Sequence, residues 1–273
     1  LQAKADNCRI EPQAILPVVF DGFLPTVTAK INGVELIMGF DTGAQGTIIT
    51  PETARNLHLH PTSQGHLKTV TVKSFNFAGN WRENVTLAVI PLPLKHLRNR
   101  KVAGLIGTNV LANYDIDYDP RRREISLYTV ADCVRIKPLW KGTYIKIPVS
   151  ITRSHRMAVP VKLNGYPLTA IFDTGSSGLR LAWAAASKAG LTQKELARDP
   201  WMNVRSAGAS HRARVHHFRK IEIGNEEFVG PHIQVVPFPS KEAEMLLGAN
   251  YMHRRRFWLS FSTHTLFIQN PQH

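Results

Sequence analysis

Two acidic side chains stand out by what surrounds them. Asp41 and Asp173 each end an apolar approach, Gly39-Phe40 and Ile171-Phe172. Each opens an Asp-Thr-Gly triplet that runs on into a small residue, Ala44 or Ser176. A strand that delivers an Asp into a tight turn needs a glycine close behind, because backbone must approach backbone with no Cβ between. The intervening Thr can bond main-chain groups and hold the turn rigid. If two such turns meet about a pseudo-two-fold axis, two carboxylates converge on one water molecule. Two unit charges about 4 Å apart repel by roughly 4 kcal/mol at an effective dielectric near 20. That is about three pKa units, so one carboxyl stays protonated where an isolated Asp would ionise. The ionised partner can draw a proton from the water, while the protonated one polarises a carbonyl and a proton later reaches the leaving nitrogen. Such a pair would hydrolyse a peptide bond without a covalent intermediate.

The elements that must position this pair come in duplicate. The segment Val27–Thr50, VTAKINGVELIMGFDTGAQGTIIT, is matched in pattern by Val159–Ala182, VPVKLNGYPLTAIFDTGSSGLRLA. The step from Asn32 to Asp41 recurs from Asn164 to Asp173, and each Asn-Gly pair supplies the positive φ angles of a tight hairpin turn. Further on, Leu105-Ile106-Gly107 and Leu246-Leu247-Gly248 form a second matched landmark, at a longer offset, so the second copy has gained residues between the two. The chain is an internal duplication. Thr50 before Pro51 predicts a helix start, and Ala182–Leu191 predicts a helix ending near Gly190. Alternating runs at Lys68–Phe77 and Arg214–Ile223 predict the arms of long hairpins. The expected fold is mainly β with short helices, in two similar lobes. A tail would cover residues 1–13, the N-terminal lobe 14–132 and the C-terminal lobe 133–273, with the junction in the polar stretch 129–142.

The motifs FDTGAQGTIIT and IFDTGSSGLRL, followed by LIG and LLG, resemble the pepsin and retropepsin superfamily of aspartic proteases. The closest likeness in organisation is to bacterial retropepsin-like aspartyl proteases, as two acid-protease barrels fused in tandem about a pseudo-two-fold axis. The resemblance implies an aspartic endopeptidase with Asp41 and Asp173 catalytic, their shared proton being that family's known behaviour. It further implies that Thr42 and Thr174 interlock the two loops, that Gly43 and Gly175 offer backbone to the substrate, and that Leu105–Gly107 and Leu246–Gly248 pass behind the loops. Ala44 follows the retroviral pattern and Ser176 the pepsin pattern. A Ser176 hydroxyl bonded to its neighbouring carboxylate would make Asp173 the ionised member. Flap tips are expected near Gly65 and His66 in the first copy and near Gly208 in the second, although neither stretch has the family's glycine-rich flap motif. The implied partner is a protein or peptide substrate, with no cofactor and no metal. The alternative is a silent or gated peptide- or polymer-binding protein on the same fold.

Composition limits the other classes. A chain of 273 residues, 43% hydrophobic and 20% charged, has enough apolar side chains for about two cores and too few charges for wholesale disorder. No apolar run reaches the roughly 18 residues of a membrane helix. The net charge of +14 favours non-specific contact with anionic surfaces. The basic residues are nevertheless spread out and lack interleaved aromatics, which argues against specific nucleic-acid binding. Twelve histidines, among them His58, His60, His211, His216 and His217, show no metal-ligand spacing. Trp140, Trp183, Trp201 and Trp258 read as packing residues. Cys8 and Cys133 are the only cysteines, either paired or both free. A monomer is expected, since both Asp-Thr-Gly turns lie in one chain. The start at Leu1 rather than Met suggests a removed leader and a periplasmic or secreted protein.

Overall fold

The computed structural model describes residues 8–92, 101–206, 209–237 and 242–270. The first half opens with β1 (Arg9–Pro17), β2 (Val19–Asp21), β3 (Leu24–Ile31), β4 (Val34–Phe40), β5 (Ile48–Ile49) and α1 (Pro51–Asn56). It continues with β6 (Thr62–Gln64), β7 (Leu67–Phe77), β8 (Asn80–Val89) and β9 (Gly104–Ile106), then α2 (Thr108–Leu111), β10 (Asp115–Asp119) and β11 (Glu124–Ala131). The second half begins with β12 (Tyr144–Pro148), β13 (Ser150–Ile151), β14 (Met157–Leu163), β15 (Tyr166–Phe172), β16 (Arg180–Ala182) and α3 (Trp183–Lys188). After an additional short helix, α4 (Gln193–Leu196), come β17 (Trp201–Ser206), β18 (Ala209–His217), β19 (Lys220–Ile223), β20 (Glu226–Val229) and β21 (His232–Val236). The chain closes with β22 (Met245–Leu247), α5 (Ala249–Met252), β23 (Phe257–Ser260) and β24 (Thr265–Gln269).

Local chemistry accounts for the matched elements. The β3–β4 and β14–β15 hairpins turn on Asn32-Gly33 and Asn164-Gly165, with φ of 51° and 81°, then 52° and 88°. Those angles suit Asn and Gly and strain other residues. Thr50 caps α1 by accepting from the Thr53 N–H, and Pro51 occupies the first turn, where no amide hydrogen is needed. The run Lys68–Phe77 lies within the single long strand β7. Its counterpart breaks: β18 stops at His217, Phe218 turns inward to 1% exposure, and its N–H donates to the Pro231 carbonyl before β19 resumes.

Three sheets result. The first half contributes an eight-stranded sheet in the order β2-β3-β4-β9-β5-β8-β7-β6, which a further β3–β7 pairing bends back on itself. The second half forms the corresponding ten-stranded sheet. The third has six strands, β1-β11-β10-β23-β24-β12, three from each half, joined where β10 pairs antiparallel with β23. Residues 9–13, expected in a tail, are instead the first part of β1, paired from Arg9↔Ala131 onward. The pairing runs from Arg9 to Pro17 with one register shift between Pro12 and Ala14, so backbone pairing with β11 holds the segment in the sheet. Cys8 and Cys133 form a disulfide at the outer edge of this sheet. Apolar residues of both halves make one continuous core, including Phe40, Phe75, Phe172, Phe257 and Leu259. Trp140 and Trp258 pack in a smaller cluster under the shared sheet. Trp201 departs from the packing expectation: it is half exposed, with the guanidinium groups of Arg212 and Arg214 over its ring.

Candidate functional site

Strand pairing aims the two aspartates. β4 runs parallel to β9, with Phe40 beside Ile106, and β15 runs parallel to β22, with Phe172 beside Leu247. The chain leaves each sheet at the Asp, whose N–H donates back to the triplet, at 3.1 Å to the Ile106 carbonyl and 2.9 Å to that of Leu247. The triplet glycines lie against the turns themselves. A Cβ on Gly107 would strike the Gly46 and Ala44 backbone, and one on Gly248 would strike that of Gly178 and Ser176. The triplets thus pass behind the two loops, as the resemblance implied.

A reciprocal grip joins the loops. The Thr42 hydroxyl donates to the Phe172 carbonyl (2.6 Å) and accepts from the Thr174 N–H (3.1 Å). Thr174 mirrors it, donating to the Phe40 carbonyl (2.6 Å) and accepting from the Thr42 N–H (3.0 Å). Both threonines are buried, so each bond closes a polar group that water cannot reach.

This grip brings Asp41 and Asp173 face to face, both buried and within hydrogen-bonding reach of one another. Each carboxyl lies over the other loop's glycine: a Cβ on Gly43 would collide with Asp173, and one on Gly175 with Asp41. Only glycine allows that approach. Asp41 Oδ1 accepts from the Gly43 N–H (2.9 Å) and the Ala44 N–H (3.0 Å), whereas Asp173 Oδ1 accepts from the Gly175 N–H (2.9 Å). Burial raises the Asp41 carboxyl above its ordinary range, opposed by the Gly43 N–H. Asp173 is raised well above, first by burial and then by the charge of Asp41. The geometry removes the reason for expecting Asp173 to be the ionised member. Ser176 gives its hydroxyl hydrogen to the Gly178 carbonyl (3.0 Å), not to a carboxylate, and Asp41 accepts two backbone N–H bonds where Asp173 accepts one.

The flap positions are partly described. Gly65 and His66 form the two-residue turn of the β6–β7 hairpin, closed by Gln64↔Leu67, with Gly65 at φ 60°. Gly208 lies outside the described residues, between the arms of the β17–β18 hairpin. That second hairpin is twice as long as its first-half counterpart: six residues in β17 against three in β6. Among the described residues no three His, Cys, Asp or Glu side chains converge as metal ligands, and His216 instead contacts Asp199 at 2.7 Å.

Sequence reasoning missed Arg180. It occupies the position that Ile48 holds in the first copy, each opposite the first Leu of its sheet's own triplet, Leu246 and Leu105. Its Nε donates to Gln234 (3.2 Å), and its charge pulls the Asp173 pKa back down. The signal was present as an isoleucine-to-arginine mismatch inside otherwise matched repeats.

No curated protein matches the chain. The crystal structure of a retropepsin-like aspartic protease from Rickettsia conorii matches at 19% identity and a TM-score of 0.37, over 48% of this chain and 96% of that one. The family model described as Aspartyl protease matches twice, at residues 27–110 and 159–251. Those two spans cover more than half of the sequence, one in each copy of the duplicated unit, and the chain belongs to the aspartyl protease family.

Proposed function

We propose that the protein is an aspartic endopeptidase in which Asp41 and Asp173 act as the catalytic pair on a peptide bond held between the two lobes. The observation that carries this reading is the mutual seating of each carboxyl over the other loop's glycine. Asp41, the member with two backbone donors, is the general base that takes a proton from the attacking water. Asp173, held protonated by burial beside that charge, donates to the substrate carbonyl as it becomes a tetrahedral diol. The proton gathered by Asp41 then passes to the leaving nitrogen, and the C–N bond breaks. Every step uses groups of this chain and water, with no covalent enzyme intermediate. An extended substrate would lie along the cleft as an added strand under the β6–β7 and β17–β18 hairpins. The protein would act as a monomer, because one chain supplies both carboxyls. A periplasmic or extracellular location fits the Cys8–Cys133 bond.

Cleavage of a peptide library from acid to neutral pH tests the assignment. Wild type should cut in the acid range, and Asp41→Asn or Asp173→Asn should each lower kcat by roughly 10²–10⁴-fold or more. Peptides bound equally by all three proteins and cut by none would identify a binding protein on this fold.

A further inference from the structure

A cavity of about 880 Å³ lies beside the second Asp-Thr-Gly turn, with Thr174, Ser177 and Phe23 among its lining residues. Its volume is that of a small-ligand site. Three arginines, Arg121, Arg123 and Arg254, line it. Their neighbours are neutralised, Arg122 by Glu124 and Arg256 by Asp117 and Asp119. Among the described residues no carboxylate lies within ion-pairing distance of the three that face the cavity.

The duplicated unit allows an internal comparison, because the matching place in the other half is built differently. There the hydroxyl of Thr108, the first residue of α2, lies between the Ala44 carbonyl (3.0 Å) and the Ser154 carbonyl (2.9 Å) and can give its one hydrogen to either, which places the turn 152–156 against the first Asp-Thr-Gly loop. Arg156 of that turn is buried and ion-paired with Glu242. In the second copy Ala249 stands where Thr108 does and has no hydroxyl with which to tie the Gly22–Phe23 turn. The turn matching Arg121–Arg123 is Ser262–His264, where the Ser262 N–H and hydroxyl are bound to Asp115 (both 3.0 Å). One copy has bonded hydroxyls and a paired arginine at this place. The other leaves it open and lines it with unpaired arginines.

We propose that this cavity is a substrate subsite that takes the side chain of an acidic residue, Asp or Glu, a few positions from the scissile bond. The proposal rests on the endopeptidase reading above and adds a substrate class to it. A carboxylate entering the cavity meets planar guanidinium donors that it can accept from in pairs, next to a loop that carries a catalytic aspartate. The chain's charge of +14 would draw acidic segments to this face without selecting a register; the cavity supplies the register.

The test uses one peptide frame carrying Glu, Gln or Lys at successive positions on both sides of the cleaved bond. Wild-type kcat/KM is measured for each peptide, and binding of the same peptides to Asp41→Asn is measured by fluorescence anisotropy. At one position Glu should be favoured over Gln by about tenfold in both readouts, as expected for a charge-assisted pair. The preference should fall to near unity in Arg121→Gln/Arg123→Gln and weaken in Arg254→Gln. It should persist in Lys73→Gln, which removes a charge from the exposed face of β7. No preference at any position, equal erosion by Lys73→Gln, or displacement of the Glu peptide by a sulfated polysaccharide at low concentration would each overturn the proposal. Glu-selective binding without cleavage by wild type would overturn the endopeptidase reading and leave the acidic subsite standing.

Discussion

At the scale of single residues, the two aspartates are alike in sequence and unlike in surroundings. Asp173 has its pKa raised by burial and by Asp41. A carboxyl whose folded-state pKa exceeds its unfolded value binds protons on folding between the two, so its contribution to stability falls as pH rises through that window. Asp173→Asn should therefore raise Tm at neutral pH. The gain should vanish below about pH 4, where the unfolded Asp is protonated as well. Thermal melts of both proteins against pH check this, and the curves should converge on the acid side. Arg180 acts in the opposite direction, its positive charge favouring the ionised form of Asp173. Replacing it by Leu should let Asp173 hold its proton to higher pH and move the alkaline limb of the pH–rate profile upward; Arg180→Lys should restore most of the wild-type profile. The two aspartates were legible because each carries its turn chemistry within three residues. The difference in their surroundings was not, because it depends on where the Ser176 hydroxyl points and on how many N–H groups reach each carboxylate.

At the scale of elements, the work of the two loops is mutual. Thr42 and Thr174 hold each other's backbone, and Gly43 and Gly175 clear space for each other's acid. Thr42→Val leaves the Phe172 carbonyl and the Thr174 N–H without their partner and should cost about 1–3 kcal/mol per orphaned group. Thr42→Ser keeps the hydroxyl and should be close to neutral, a comparison that urea melts resolve. Gly43→Ala should inactivate the protein by displacing the Asp173 carboxyl, with folding judged separately by circular dichroism. The hairpins at Asn32-Gly33 and Asn164-Gly165, and the capped start of α1, follow from local propensity and were predictable. The break between β18 and β19 was not read from the run 214–223, although Phe218 falls out of phase there with Val215, Ile221 and Ile223. It is set by Phe218 turning into the core, which is a matter of packing.

At the scale of the whole molecule, the six-stranded sheet makes the halves interdependent. β10 pairs with β23, and the core is continuous across the junction. The duplication made two lobes readable from sequence, but this sheet joins segments from residue 9 to residue 269, and no local pattern records such a pairing. The same distance explains why residues 9–13 were expected to be part of a tail. Cys8–Cys133 closes a separation of 125 residues at the edge of that sheet. Its loss in Cys8→Ser/Cys133→Ser should lower stability by roughly 2–5 kcal/mol, read as a drop in Tm that dithiothreitol reproduces in the wild type. Thr108 and Ala249 carry a broader meaning. In an enzyme assembled from two identical subunits, any mutation appears in both walls of the groove at once and must be tolerated twice. Here a single codon change can alter one wall alone, so natural variation, or a protein engineer, can reshape one side of the groove while the opposite side stays as it was.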